Sequence, residues 1–218
     1  MRITTQMLNE SARKAGLPIN GTSLLNYING NSKSTLLDAL NKNSTADAAA
    51  KTRYEKLEKT ANQLSEAAYA FMAGGEDSLF SKARESGNSQ NICNVAENLA
   101  GKYNSVLSAL KTAAGPLNDY YRQMLKSAFS DNAQALEGIG ISAAKDGTLR
   151  VDRDKLNGTD IDTLEKVFGD ATDFVQKTAY VSGRIADNAQ ATQSSLSSRY
   201  SSAGSLYSSL ASKYDLFG

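Results

Sequence analysis

The sequence predicts a mostly α protein, an elongated antiparallel helical bundle or coiled coil with one small β-hairpin inserted in it. Three observations predict this. Ala50, Tyr54, Leu57, Ala61, Leu64, Ala68 and Phe71 follow one another at alternating steps of four and three residues, and so do Ile92, Ala96, Leu99, Tyr103, Val106, Leu110 and Ala113. Such spacing keeps an apolar seam on one side of each helix, and two helices with matched seams bury them against each other. The third observation is the stretch 139–156, where Asp146-Gly147 brings the positive-φ turn chemistry of a tight hairpin and Leu149-Arg150-Val151 alternates apolar with polar.

Taken in order, residues 1–15 have helical spacing at Ile3, Met7, Leu8 and Ala15, and Gly16-Leu-Pro-Ile-Asn-Gly21 then breaks the pattern. Leu24, Leu25 and Ile28 resume it, a further apolar cluster follows at Leu36, Leu37 and Leu40, and Asn41 to Thr45 reads as a loosening before a long helix over 46–73. Gly74-Gly75 ends that helix, and a short helical piece is expected around Leu79 and Phe80. The second seam, from Ile92, stops at Gly115-Pro116, because proline cannot continue the ladder and disfavours helix in the residue before it. Leu117 to Leu136 reads as one helix with Tyr121, Leu125, Ala128 and Phe129 on one side. After the hairpin, Asp152 is placed to cap a helical turn, and Thr159-Asp160 to cap a helix carrying Ile161, Leu164 and Phe168 that Gly169 closes. The last helix starts near Asp170, first rich in alanine, then in serine. The reading thus divides the chain into a helical and turn segment over 1–45 and a helical coiled-coil body over 46–218.

The end of that helix is a repeat. Ser194 to Tyr200, Ser201 to Tyr207 and Ser208 to Tyr214 are three consecutive heptads, each opening with Ser-Ser and closing with Tyr. Leu196, Tyr200, Ala203, Tyr207, Leu210, Tyr214 and Phe217 consequently form a four-three seam, while the serines and Gly204 between them lower helix propensity. A helix of this kind is weak alone and gains order by packing its seam on a partner. These seven residues are the expected assembly interface.

Composition narrows the chemistry. The 218 residues include 24 Lys and Arg against 23 Asp and Glu, a net charge of +1 that supplies no general attraction to nucleic acid or an anionic membrane. The first sixty residues hold nine basic and five acidic side chains, an ordinary solvated face. No run approaches the length of a transmembrane span, and the opening Met1-Arg-Ile-Thr-Thr-Gln lacks the apolar stretch of a secretory signal. With no His, the commonest metal ligand and general base is missing, and a single Cys makes neither an intramolecular disulfide nor a thiolate zinc cluster. Cys93 reads as a small semi-buried apolar residue. Asp152-Arg-Asp154 imitates a calcium loop but places Leu156 at its fifth position, Asn157 where glycine is required and Thr163 at its end. Gly138-Ile-Gly140 lacks the third glycine of a dinucleotide fingerprint, and neither a phosphate loop nor a Gly-x-Ser-x-Gly elbow is present. No catalytic, cofactor-binding or metal site is expected, and the chain reads as non-enzymatic.

From Val95 to Gly169 the sequence resembles the C-terminal region of the bacterial flagellar filament cap family, also called hook-associated protein 2. The residues that carry the resemblance are Tyr103-Asn104, Gly115-Pro116-Leu117, Ile139-Gly140-Ile141, Asp146-Gly147-Thr148-Leu149, Asp152 with Leu156, and Val167-Phe168-Gly169, in that order. The opening Met1-Arg-Ile-Thr is similar to the first residues of flagellin and of hook-filament junction proteins. Family members hold large β-rich outer domains between helical ends, and residues 30–90 show no such strand pattern, so the resemblance is to a short, mainly helical relative. It implies a structural protein of the flagellum, exported without a cleavable signal and cytoplasmic before export, whose partners are itself or axial proteins such as flagellin and hook-filament junction proteins. The alternative is a stand-alone helical binding module, a chaperone or regulator of flagellar assembly retained in the cell.

Overall fold

A computed structural model describes residues 33–169 and 172–214, with side chains for 46–169 and 172–198. The expectations for residues 1–32 lie outside the described residues. The elements are α1 (Lys33–Met72), α2 (Leu79–Ser86), α3 (Gln90–Ala113), α4 (Pro116–Ser130), α5 (Ala133–Gly138), β1 (Ile141–Ala143), β2 (Leu149–Val151), α6 (Arg153–Asn157), α7 (Ile161–Phe168) and α8 (Asp173–Tyr214). The chain divides into two compact units, residues 52–193 and residues 1–51 together with 194–218.

Within 52–193 the helices form a bundle of alternating direction. Tyr54 on α1 meets Asn118 just beyond the end of α3, Gln63 meets Lys102 in mid-helix, and Phe71 packs on Phe80, which precedes α3. Hence α1 and α3 run antiparallel. The α8 helix opposes both α1 and α4, since Gln193 bonds Glu58 near one end of the bundle and Lys177 pairs with Asp131 at the finish of α4. Both predicted seams face inward. Leu57, Ala61, Leu64, Ala68 and Phe71 on α1, and Ile92, Ala96, Leu99, Tyr103, Val106 and Leu110 on α3, are all buried, as are Tyr121, Leu125, Ala128 and Phe129 on α4. Phe71 also stacks on Phe168 of α7, with ring centroids 4.7 Å apart, so a single aromatic side chain joins α1 to the C-terminal half of the core.

The caps follow the sequence closely. Ser78 accepts from the Ser81 amide at the start of α2, and Gly87 ends that helix in the left-handed region with the Asn88 amide returning to the Ala83 carbonyl. Asp152 accepts from Lys155 N–H and Asp160 from Thr163 N–H, as expected from their place ahead of α6 and α7.

The structure differs from these expectations in three places. The α1 helix is described from Lys33 and passes through 41–45, because Asn, Lys, Ser and Thr are only mildly unfavourable in a helix and no Gly or Pro stands there. The helix expected over 117–136 is broken after Ser130. There Asn132 turns its amide back to the Ala128 carbonyl at 2.9 Å, substituting a side-chain bond for the ladder, and α5 restarts at Ala133. The last helix, expected from near Asp170, is described from Asp173, and residues 170 and 171 lie outside the described residues. In the hairpin, Gly147 alone takes positive φ, at 90°, while Asp146 accepts from both Thr148 N–H and Thr148 Oγ1. The loop is therefore a turn over Ala144–Gly147 tightened by an aspartate, not a two-residue turn.

Its register pairs Ile141 with Val151, Ser142 with Arg150 and Ala143 with Leu149. Gly140, just ahead of β1, has φ 95°, and a Cβ there would stand 2.9 Å from the Asp152 carbonyl oxygen. Only glycine fits between the two strands' near ends.

The core holds one mismatch on α3. Tyr103 is fully buried and its hydroxyl has no hydrogen-bond partner, and burial holds its acidity well below that of an ordinary tyrosine. A buried hydroxyl without a partner costs about 1–3 kcal/mol. Tyr103→Phe is accordingly expected to stabilise the full chain by about 1 kcal/mol, read as a higher urea midpoint at unchanged slope. A lowered midpoint would show that the hydroxyl is satisfied.

Candidate assembly surface

The free edge of the hairpin is tied to the bundle by Asn104. Asn104, next to Tyr103 on α3, donates from Nδ2 to the Leu149 carbonyl at 2.9 Å and accepts at Oδ1 from the Leu149 amide at 2.7 Å. These are the groups that β2 directs away from β1, so the carboxamide takes the place of a third strand on that edge. Leu149 and Ile141 are buried beneath it. Arg153 reaches Glu97 at 2.7 Å, and the Cys93 thiol approaches the Leu156 carbonyl at 3.5 Å, which fastens α6 to the same helix. Cys93 is wholly buried, more so than its sequence context implied, and desolvation raises its thiol pKa. A buried, protonated thiol is a poor nucleophile.

Exposed ion pairs tie the remaining elements. Arg84 on α2 bridges Asp162 and Glu165 on α7, and these hydrogen bonds raise its pKa further above an already basic value. Lys177 lies between Asp173 and Asp131, whose hydrogen bonds raise its pKa. These groups are solvated, and such pairs contribute little to stability. An open cleft of about 1170 Å³ is lined by Glu76, Glu85, Asp162, Glu165 and Lys166 among others. No group of His, Cys, Asp and Glu among the described residues is arranged to hold a metal ion. No helix among them is long and apolar enough to cross a membrane.

The expected interface lies on the last part of α8. Its helix continues through Tyr214, so Leu196, Tyr200, Ala203, Tyr207, Leu210 and Tyr214 all stand on helical backbone, at the spacing that puts them along one line. Leu196 is half-buried. The side chains of Tyr200, Ala203, Tyr207, Leu210 and Tyr214, and the whole of Phe217, lie outside the described residues. The structure adds that this seam prolongs another. Val175, Ala179, Ser182, Ala186 and Ala189 are buried in the bundle at the same four-three steps, and Gln193 carries the count to Leu196. Along α8 the same four-three count passes from buried small residues to Leu196 and, in the sequence, to the tyrosines that follow it.

Sequence reasoning missed a second set of surface residues. Leu117 is 48% exposed, Tyr120 55%, Tyr69 56% and Tyr180 64%, large apolar side chains that the core does not take up. Their signal was present: Tyr69 falls off the seam of α1, and Leu117, Tyr120 and half-buried Met124 make an i, i+3, i+7 line beside the buried line of Tyr121, Leu125 and Ala128. Comparison of the chain with protein-family models, with curated proteins and with solved structures returns no match.

Proposed function

We propose that this chain is a non-enzymatic assembly protein of the bacterial flagellum, resembling the filament cap (hook-associated protein 2) and acting through helix-helix contacts with copies of itself or with other axial proteins. The observation that carries the reading is the ordered set of residues from Tyr103-Asn104 to Val167-Phe168-Gly169. Its support is physical as well as textual, since those residues have linked structural tasks. Asn104 holds β2, Gly140 admits the strand ends, Asp152 caps α6, and Phe168 stacks on α1. In this reading the chain leaves the cytoplasm by flagellar export and meets neighbouring subunits through the seam from Leu196 to Phe217.

Mass spectrometry of sheared filaments, culture medium and cytosol tests it. The chain is expected in the filament or medium fractions at a level well above a cytosolic marker protein. Recovery from cytosol alone would replace this reading with that of a retained chaperone or regulator.

A further inference from the structure

Among the described residues, three of the four exposed large apolar side chains, Leu117, Tyr120 and Tyr180, border one groove. Lys177 pairs with Asp131 at 3.2 Å, which sets the antiparallel alignment of α8 on α4. Counted away from that pair at equal rise, Met124 falls level with Arg184, Tyr120 with Asn188 and Leu117 with Ala191. Leu117, Tyr120 and Met124 all stand within about 40° of Asp131 around the α4 axis, so they look toward α8. Tyr180, Arg184, Asn188 and Ala191 stand within about 60° of Lys177 around the α8 axis, whereas Gln193, which reaches α1, is about 160° away. The two lines are therefore the walls of the α4–α8 groove, on the flank of α8 that faces away from α1. Met124 and Asn188 are half-buried there, and the others are exposed.

From Leu117 to Asp131 the groove runs for 14 residues, about 21 Å. An occupant of that shape is a helix with one apolar face of the same length. The chain itself supplies one. Tyr200 to Tyr214 also span 14 residues, with apolar side chains at four-three steps and mostly serine between them. Arg199 and Lys213 are the only charged residues from Ser194 to Tyr214, so this segment takes little charge out of water when its apolar face is covered. Arg184 on the groove wall can meet a tyrosine ring face of the incoming seam. A patch of a few large side chains covers a few hundred Å² at most, well below the roughly 1,200 Å² of a stable pair, so one such contact is weak and is strengthened by repetition. A chain that carries both the seam and its receptor repeats the contact from copy to copy, each molecule giving one half and receiving the other.

We infer that the groove between α4 and α8, bordered by Leu117, Tyr120, Met124 and Tyr180, receives the terminal seam of a second copy of this chain. This docking rests on the seam being the assembly contact, as proposed above, and adds the surface that receives it.

Photo-cross-linking of the full-length chain tests it. Tyr207 is replaced by p-benzoylphenylalanine, and chains of ordinary and heavy nitrogen isotope are mixed in equal amounts before irradiation. Cross-links that join one isotope to the other, from position 207 to peptides of α4 and of residues 177–191, are expected. Cross-links confined to single chains, or reaching other segments of the second chain, would overturn the docking, as would a chain that stays monomeric throughout. A second measurement uses Leu117→Asp combined with Tyr120→Asp, exposed positions whose replacement should leave the urea transition unchanged. Self-association by sedimentation should weaken at least about tenfold, because two carboxylates then face an apolar seam. Gln123→Asp, exposed on the same helix but off the line, is the control and should associate normally. Association unchanged by Leu117→Asp with Tyr120→Asp would also overturn the docking; if carboxylates in the seam still abolished it, the seam would stand as the assembly contact with its receptor elsewhere. Absence from filaments would count against the flagellar reading alone and leave the cross-links as they are.

Discussion

Replacing Asn104 with alanine is expected to destabilise the protein by about 2–3 kcal/mol and to free the hairpin before the bundle melts. Truncation removes two hydrogen bonds and leaves both the amide and the carbonyl of Leu149 without partners at a position where Leu149 itself is 6% exposed. Each orphaned group costs about 1–3 kcal/mol when water cannot reach it, and the half-buried setting of Asn104 places the total toward the lower end. Urea unfolding measures the loss, and hydrogen exchange localises it: the Leu149 amide should exchange faster in the variant while the α3 amides on the α1-facing side keep their protection. Asn104→Asp separates the two bonds, because the carboxylate still accepts from the Leu149 amide but meets the carbonyl without a donor. It should recover protection of that amide only in part. Unchanged exchange at Leu149 in Asn104→Ala would show that the strand edge is held by other means.

Combining Leu196→Asp, Tyr207→Asp and Leu210→Asp should abolish self-association and partner binding. A carboxylate forced into an apolar helix interface must either lose its hydration or keep the interface open, and either cost exceeds what one layer of packing contributes. Three layers of the seam are affected at once. The bundle of residues 52–193 should keep its urea transition, because its buried residues stop at Ala189. Ser195→Asp, at an exposed position one residue away from the seam, is the matched control and should assemble normally. Sedimentation velocity reads the outcome, and association equal to that of the unaltered chain would remove the terminal seam as the assembly contact.

The parts of this fold legible in the sequence are those whose cause is local. Seams at four-three spacing announced α1 and α3, and the residues named from that spacing are buried from Leu57 to Phe71 and from Ile92 to Leu110. Caps at Asp152 and Asp160 were legible because a short acceptor side chain needs only its own next three residues. Asn104 was legible as part of a recurring pair with Tyr103, but its task was not, since its partner is 45 positions away. The break at Asn132 escaped for a related reason. The apolar period runs straight across it, and nothing in that period reveals that the carboxamide will bond Ala128 instead of solvent.

The candidate surface divides in the same way. The Tyr and Leu heptads were visible as a repeat, and their spacing already required one continuous helix. Their continuity with the buried line from Val175 to Ala189 needed the three-dimensional arrangement, because alanine and serine at those positions read as filler until helices are seen to pack there. The exposure of Leu117, Tyr120, Tyr69 and Tyr180 likewise depends on how many helices surround each one. By itself, the sequence determined which faces must be buried, where the capped helices at Asp152 and Asp160 start, and that one hairpin interrupts them, because these follow from side-chain period and backbone chemistry over a few residues. Only the tertiary structure decided which face meets which, that a single carboxamide completes the hairpin edge, and how α1 and α8 are aligned. Those outcomes depend on contacts between residues far apart in the chain, and such contacts leave no local period to read.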